Sequence, residues 1–169
     1  MNSAETLHIR LATDEDFESI FQIWLAGIGN SFDPELAATP QVQEKFTENF
    51  RQREGIFNFW VAVDPGGQII GWQSLIKNSN NPFRANLHAE SSTYIAQGTR
   101  YKGVGKMLLD YVIKEAEKSS LEYVTGFVSM TNDAARKITQ ETGWIEVGIL
   151  PPSAKGENKF PKSFWVRPV

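Results

Sequence analysis

The stretch Thr93-Tyr94-Ile95-Ala96-Gln97-Gly98-Thr99-Arg100-Tyr101-Lys102-Gly103-Val104-Gly105-Lys106 constrains this chain more than any other. A strand over 87–96 runs into a short, basic, glycine-containing loop. The loop opens a helix over 103–118, in which Met107, Leu108, Tyr111, Val112 and Glu115 recur at helical spacing. The start of a helix leaves backbone N–H groups unpaired and carries a partial positive charge, so it binds phosphate directly. Gly103 and Gly105 remove side chains where a diphosphate would approach, and Arg100, Lys102 and Lys106 add positive charge nearby. By itself such a loop fits an ordinary strand-to-helix turn with solvated basic residues equally well. Its spacing is not that of a P-loop, because no Gly-Lys-Ser/Thr ending is present, nor that of a three-glycine dinucleotide fingerprint.

The rest of the chain reads as a regular succession of elements. An apolar strand over 7–12 precedes Thr13-Asp14-Glu15-Asp16, where Thr13 can cap a helix and Asp16 takes the reciprocal position. Phe17, Ile20, Phe21, Trp24, Leu25 and Ile28 then mark an amphipathic helix over 14–28. A loop containing Pro34 leads to a second helix over about 41–53. Strands over 57–63 and 68–76 flank Asp64-Pro65-Gly66-Gly67, a strong turn sequence, and predict a hairpin. After the strand-loop-helix unit come a strand over 121–129, a helix over 133–142, a strand over 144–150 and a last strand over 160–166. The order β-α-α-β-β-β-α-β-α-β-β predicts an α/β (α+β) domain over 1–169: a mixed, mostly antiparallel sheet of about six or seven strands with helices on both faces.

Composition narrows the chemistry. The 169 residues carry a net charge of −3, which gives no general attraction to nucleic acid or anionic membranes. There is no cysteine, so disulfides, thiolate metal sites and cysteine nucleophiles are excluded, and with only His8 and His88 no metal site is expected. The N-terminal segment lacks the apolar core of a signal peptide and no apolar run is long enough to span a membrane. The expected location is cytoplasmic.

The pattern Arg100-x-x-Gly103-x-Gly105, between strand and helix, resembles the acetyl-CoA pyrophosphate loop of the GNAT superfamily of N-acetyltransferases. Three further segments resemble that family in the same order: His8 to Asp16, the hairpin ending in Ile70-Gly71-Trp72, and Asn132-x-x-Ala135 with Gly143-Trp144. Within the superfamily, Glu90-Ser91-Ser92-Thr93-Tyr94-Ile95, Asn132-Asp133 and Lys159-Phe160 are most similar to the phosphinothricin and methionine sulfone acetyltransferases. The resemblance implies the GNAT fold with a splayed sheet, acetyl-CoA as co-substrate, a small-molecule amine as acceptor and a homodimer.

It also implies roles. Thr93, Tyr94 and Ile95 would pair with the pantetheine arm. Arg100, Tyr101, Lys102, Gly103, Val104, Gly105 and Lys106 would hold the diphosphate, and Asn132 would hydrogen-bond the cofactor or cap its own helix. Glu90 would take the proton from the attacking amine, since a partly desolvated carboxylate has a raised pKa. Thr139 stands where relatives carry Tyr or His as the acid; its hydroxyl can hydrogen-bond sulfur but is a poor proton donor. Phe32, Trp60, Trp72, Arg84 and His88 are the candidates for the acceptor pocket, with packing as the plain alternative. The departure from the subgroup at Ala85 and His88 leaves other acceptors open: a protein N-terminus, lysine, a polyamine or an aminoglycoside. A non-catalytic acyl-CoA-binding module is the alternative of another class.

Overall fold

The computed structural model describes residues 6–30, 32–33, 35, 39–152, 154–155 and 161–169. The strands are β1 (His8–Leu11), β2 (Phe59–Val63), β3 (Ile69–Lys77), β4 (His88–Ile95), β5 (Tyr123–Ser129), β6 (Ile145–Ile149) and β7 (Lys162–Pro168). The α-helices are α1 (Phe17–Gly27), α2 (Pro40–Arg51), α3 (Val104–Glu117) and α4 (Asp133–Glu141). These elements follow the order expected from the sequence. Lys159 and Phe160 lie outside the described residues.

All seven strands form one sheet in the order β1-β2-β3-β4-β5-β7-β6. Every neighbouring pair is antiparallel except β4 and β5. That parallel step follows from the sequence: α3 connects β4 to β5 as a crossover, which a hairpin cannot do.

Strand alternation sorts the core into two layers. Phe59, Val61 and Trp72 pack with Ile20, Trp24 and Phe50 of α1 and α2. Trp60, Leu75 and Ala89 pack with Leu109, Val112 and Ile113 of α3. The first layer is built largely from rings. Trp24 stacks on Phe46 with centroids 4.2 Å apart, and Trp72 stacks on Tyr94 at 4.9 Å. Trp72 also donates its indole N–H to the Ile20 carbonyl at 3.0 Å, so the buried ring has no unpaired donor.

The entry to α1 departs from a regular helix. Asp14–Asp16 form a 3-10 turn, and the helix proper starts at Phe17. The reason is the Asp16 carboxylate, which accepts the Thr13 backbone N–H at 2.8 Å and a two-pronged bond from Arg10 at 2.7 and 3.0 Å. The Arg10 hydrogen bond, with that from Thr13, outweighs burial and holds the Asp16 carboxyl below the usual carboxylate range. A depressed pKa stabilises the fold above the unfolded-state pKa, and this contribution is lost as pH falls through the folded-state value. Asp16→Asn is therefore expected to destabilise the protein by about 1–2 kcal/mol at neutral pH, allowing for the exposed side of Arg10. Urea denaturation of both forms should show that difference shrinking as the carboxylate of the parent protein becomes protonated.

Candidate active site

The sheet opens between β4 and β5. Their pairing runs from His88 with Tyr123 only as far as Glu90 with Thr125, although both strands continue. Beyond that point β4 stays paired to β3, up to Gly71 with Ile95, and β5 stays paired to β7. The result is a notch between the two strands beyond Glu90. A cleft of about 670 Å³ fills it, lined by Glu90 to Ile95 on one side and by Gly126 to Ser129 and α4 on the other.

The ladder fixes which backbone groups face the notch. Ala96 N–H donates to the Ile70 carbonyl, so even-numbered residues of β4 turn their peptide groups to β3. Thr93 and Ile95 therefore turn theirs toward the opening. Tyr94, expected from the sequence to share that task, has its peptide groups directed at β3 opposite Trp72; what it offers the cleft is its ring. Burial pushes the Tyr94 phenol up to about 12, so it stays protonated.

Glu90 stands at the apex, where the two strands part. Among the described residues nothing hydrogen-bonds or ion-pairs with its carboxylate. Burial alone pushes its pKa above the usual carboxylate range, because no nearby positive charge compensates for lost water.

Behind the notch lies Gln73 of β3, fully buried on the α3 face. Its side-chain N–H donates to the Ser91 hydroxyl and its carbonyl accepts from the Thr93 hydroxyl. One amide thus pins two side chains of the strand that has lost its neighbour. Sequence reasoning missed this residue. The available signal was a lone amide inside the apolar run 69–76.

Helix α3 begins just beyond β4. Gly103 is its N-cap with φ +77°, a left-handed conformation that glycine takes without strain. The first helical bond is Met107 N–H to the Gly103 carbonyl at 3.0 Å. The N–H groups of Val104, Gly105 and Lys106 precede it and have no helical partner. A Cβ added at Gly103 would meet nothing within 4 Å, so the space beside this turn is open. The surrounding cations are less available than the sequence suggests. Lys106 is paired with Asp110 at 2.7 Å, and Arg100 donates to the Tyr101 hydroxyl at 3.0 Å. Lys102 is exposed, while Val104 is buried and anchors the turn by its side chain.

Asn132 caps α4, accepting the Ala135 N–H at 3.0 Å, and lines the cleft as well. Thr139 also lines the cleft, but its hydroxyl donates to the Ala135 carbonyl at 2.7 Å. Its proton is thus already committed within the helix. Thr139→Val keeps the shape and removes a neutral hydrogen bond of about 1 kcal/mol, so turnover should fall only several-fold. A loss near 10³-fold in steady-state kcat, with circular dichroism unchanged, would make Thr139 a catalytic residue.

The acceptor candidates separate. Phe32 lines the cleft and a neighbouring cavity, and Trp72 lines that cavity. Trp60 does not join them: it pairs with Gln73 and packs into the α3 layer, on the opposite face from Trp72. Arg84 and His88 line neither space, and the His88 ring meets Tyr123 edge-on at 5.4 Å. Lys162, not anticipated, lines the cleft with its ammonium 4.1 Å from the Phe32 ring centre. Among the described residues no cluster of His, Asp or Glu could hold a metal ion, and no helix is long and apolar enough to cross a membrane.

A splayed sheet, a carboxylate at its apex and a glycine turn opening a helix thus lie along one cleft. Residues 6–145 match the acetyltransferase (GNAT) domain, and the chain belongs to that family. YwnH of Bacillus subtilis (strain 168), named as a phosphinothricin acetyltransferase, is 27% identical over 154 residues, covering 89% of this chain and 91% of that protein. A crystal structure named as a phosphinothricin N-acetyltransferase is 25% identical, with a TM-score of 0.79 over 97% of this chain and 99% of its own. The phosphinothricin acetyltransferase of Sinorhizobium meliloti, solved with acetyl-CoA, is alike in fold: TM-score 0.79 at 21% identity, covering 97% of this chain and 89% of that one.

Proposed function

We propose that this acetyltransferase moves an acetyl group from acetyl-CoA to the primary amine of a small amino-acid-like molecule, by direct attack. The observation that carries this reading is the notch: unpaired peptide groups, a raised-pKa carboxylate and a bare helix start lie along one continuous stretch, Glu90 to Lys106. An extended pantetheine arm fits beside Thr93 and Ile95, and a diphosphate fits the N–H groups of Val104, Gly105 and Lys106.

Glu90 takes the proton of the ammonium, directly or through one water, leaving the neutral amine to attack the thioester carbon. The negative charge that develops on the thioester oxygen meets backbone N–H groups of the notch, fixed before the reaction. The departing thiolate is protonated from solvent or by a neutral donor. Tyr94 with its raised pKa and Thr139 with its committed proton are both weak in that role.

Polycationic acceptors fit poorly, because Glu90 is the only carboxylate among the described residues lining the cleft. The exposed Ile145, Val147 and Ile149 on edge strand β6 support the homodimer implied by the resemblance, and a cytoplasmic setting goes with this reading. The test is thiol release from acetyl-CoA with a panel of amino acids, amines and peptides. Turnover with amino-acid-like amines is expected; release with peptides or polyamines alone would redirect the reading, and no release with any amine would end it.

A further inference from the structure

Next to the cleft, on the α1 and α2 face of the sheet, lies a second cavity of about 260 Å³. Trp24, Phe46, Phe59 and Trp72 line it, together with aliphatic side chains such as Ile28 and Val42. Its polar lining residues, Asn49, Ser74, Ser92 and Tyr94, are neutral, and no charged residue lines it among the described residues. The two spaces share Phe32, Ser92 and Tyr94. Ser92 stands two residues from Glu90, hence on the same face of β4 and roughly 7 Å along it. An amine at Glu90 would send its substituent past Ser92 into the ring-lined cavity.

From this geometry we infer that the acceptor carries a neutral, largely apolar side chain, of the size of leucine, methionine or phenylalanine. The inference rests on the acetyl-transfer reading above and deepens it. A cavity of about 150 Å³ is enough to hold a benzene ring, so the space here admits a ring or a branched chain. An ionised side chain entering it would lose its water and find no opposite charge. Phosphinothricin, with an anionic phosphinate at the end of its side chain, is the wrong occupant. Lys162, the cation whose ammonium lies over the Phe32 ring, lines the neighbouring cleft and is not among the residues that line the cavity.

The experiment compares kcat/KM for L-leucine, L-methionine and L-phenylalanine with that for phosphinothricin, L-glutamate and L-lysine. The neutral amino acids are expected to exceed the charged ones by about 100-fold, the cost of an unpaired charge. Val42→Phe fills the cavity from α2 with a ring in place of an isopropyl group, and should lower kcat/KM for phenylalanine by about tenfold or more through overpacking, with acetyl-CoA affinity unchanged. A parallel titration without acetyl-CoA follows the intrinsic tryptophan fluorescence, to which Trp24 and Trp72 contribute, in the parent protein and in Val42→Phe, where the response to phenylalanine should be lost. A preference for phosphinothricin or glutamate overturns the inference while the transferase reading stands. If no amine is turned over but neutral amino acids alone perturb the tryptophans, the cavity assignment holds and the transferase reading falls. If neither assay responds to neutral amino acids, the cavity assignment is wrong.

Discussion

Glu90→Gln is expected to lower kcat by about 10²-fold or more, the usual contribution of a positioned general base. The fold and the acetyl-CoA affinity should hold, because nothing among the described residues bonds to the Glu90 carboxylate. The pH dependence is the sharper test. Burial raises the Glu90 pKa, so activity should climb with pH as the carboxylate forms, with a midpoint above the usual carboxylate range. Glutamine cannot titrate, and that limb should vanish from the residual activity. A profile of the same shape in the variant would make Glu90 structural, and the proton would then leave by another route.

Gly103→Val should weaken acetyl-CoA binding by about 100-fold, the equivalent of one or two lost hydrogen bonds to a charged phosphate. Two effects combine. Valine at φ +77° is strained by about 1–3 kcal/mol, and its methyl groups occupy the open space beside the helix start. Gly103→Asn separates them, since asparagine tolerates the left-handed conformation but still fills that space. Calorimetry on both variants is the measurement. Unchanged affinity in both would place the diphosphate elsewhere.

The order of elements was legible because each segment carries its own period and its own turn chemistry. The paired glycines of the loop were legible for the same reason: Gly103 takes a conformation that other residues avoid. The notch itself was not readable from pattern alone. Nothing local in His88–Ile95 shows that pairing with β5 stops at Glu90; that depends on how β5 follows β7. Trp60 and Trp72 look equivalent in sequence, yet the hairpin register sets Val61 opposite Trp72 and so sends Trp60 to the other face. Thr139 was found by counting from Asn132, but its bond to Ala135 needed the helix geometry. Lys162 gave no signal, because its place depends on a strand that returns from the far end of the chain.

The one-sided pairing of β4 leaves a mark on solvent exchange. Ser92 and Tyr94 hold their amide protons in the ladder with β3, while Thr93 and Ile95, interleaved with them, point theirs at the open notch. Deuterium uptake along this one strand should therefore alternate, slow at the even positions and fast at the odd ones. Acetyl-CoA lying in the notch would take the place of the missing second neighbour of β4 and erase the alternation by slowing the odd positions alone. Exchange rates read residue by residue would thus trace the ligand's path along β4 without any change in the strand's shape.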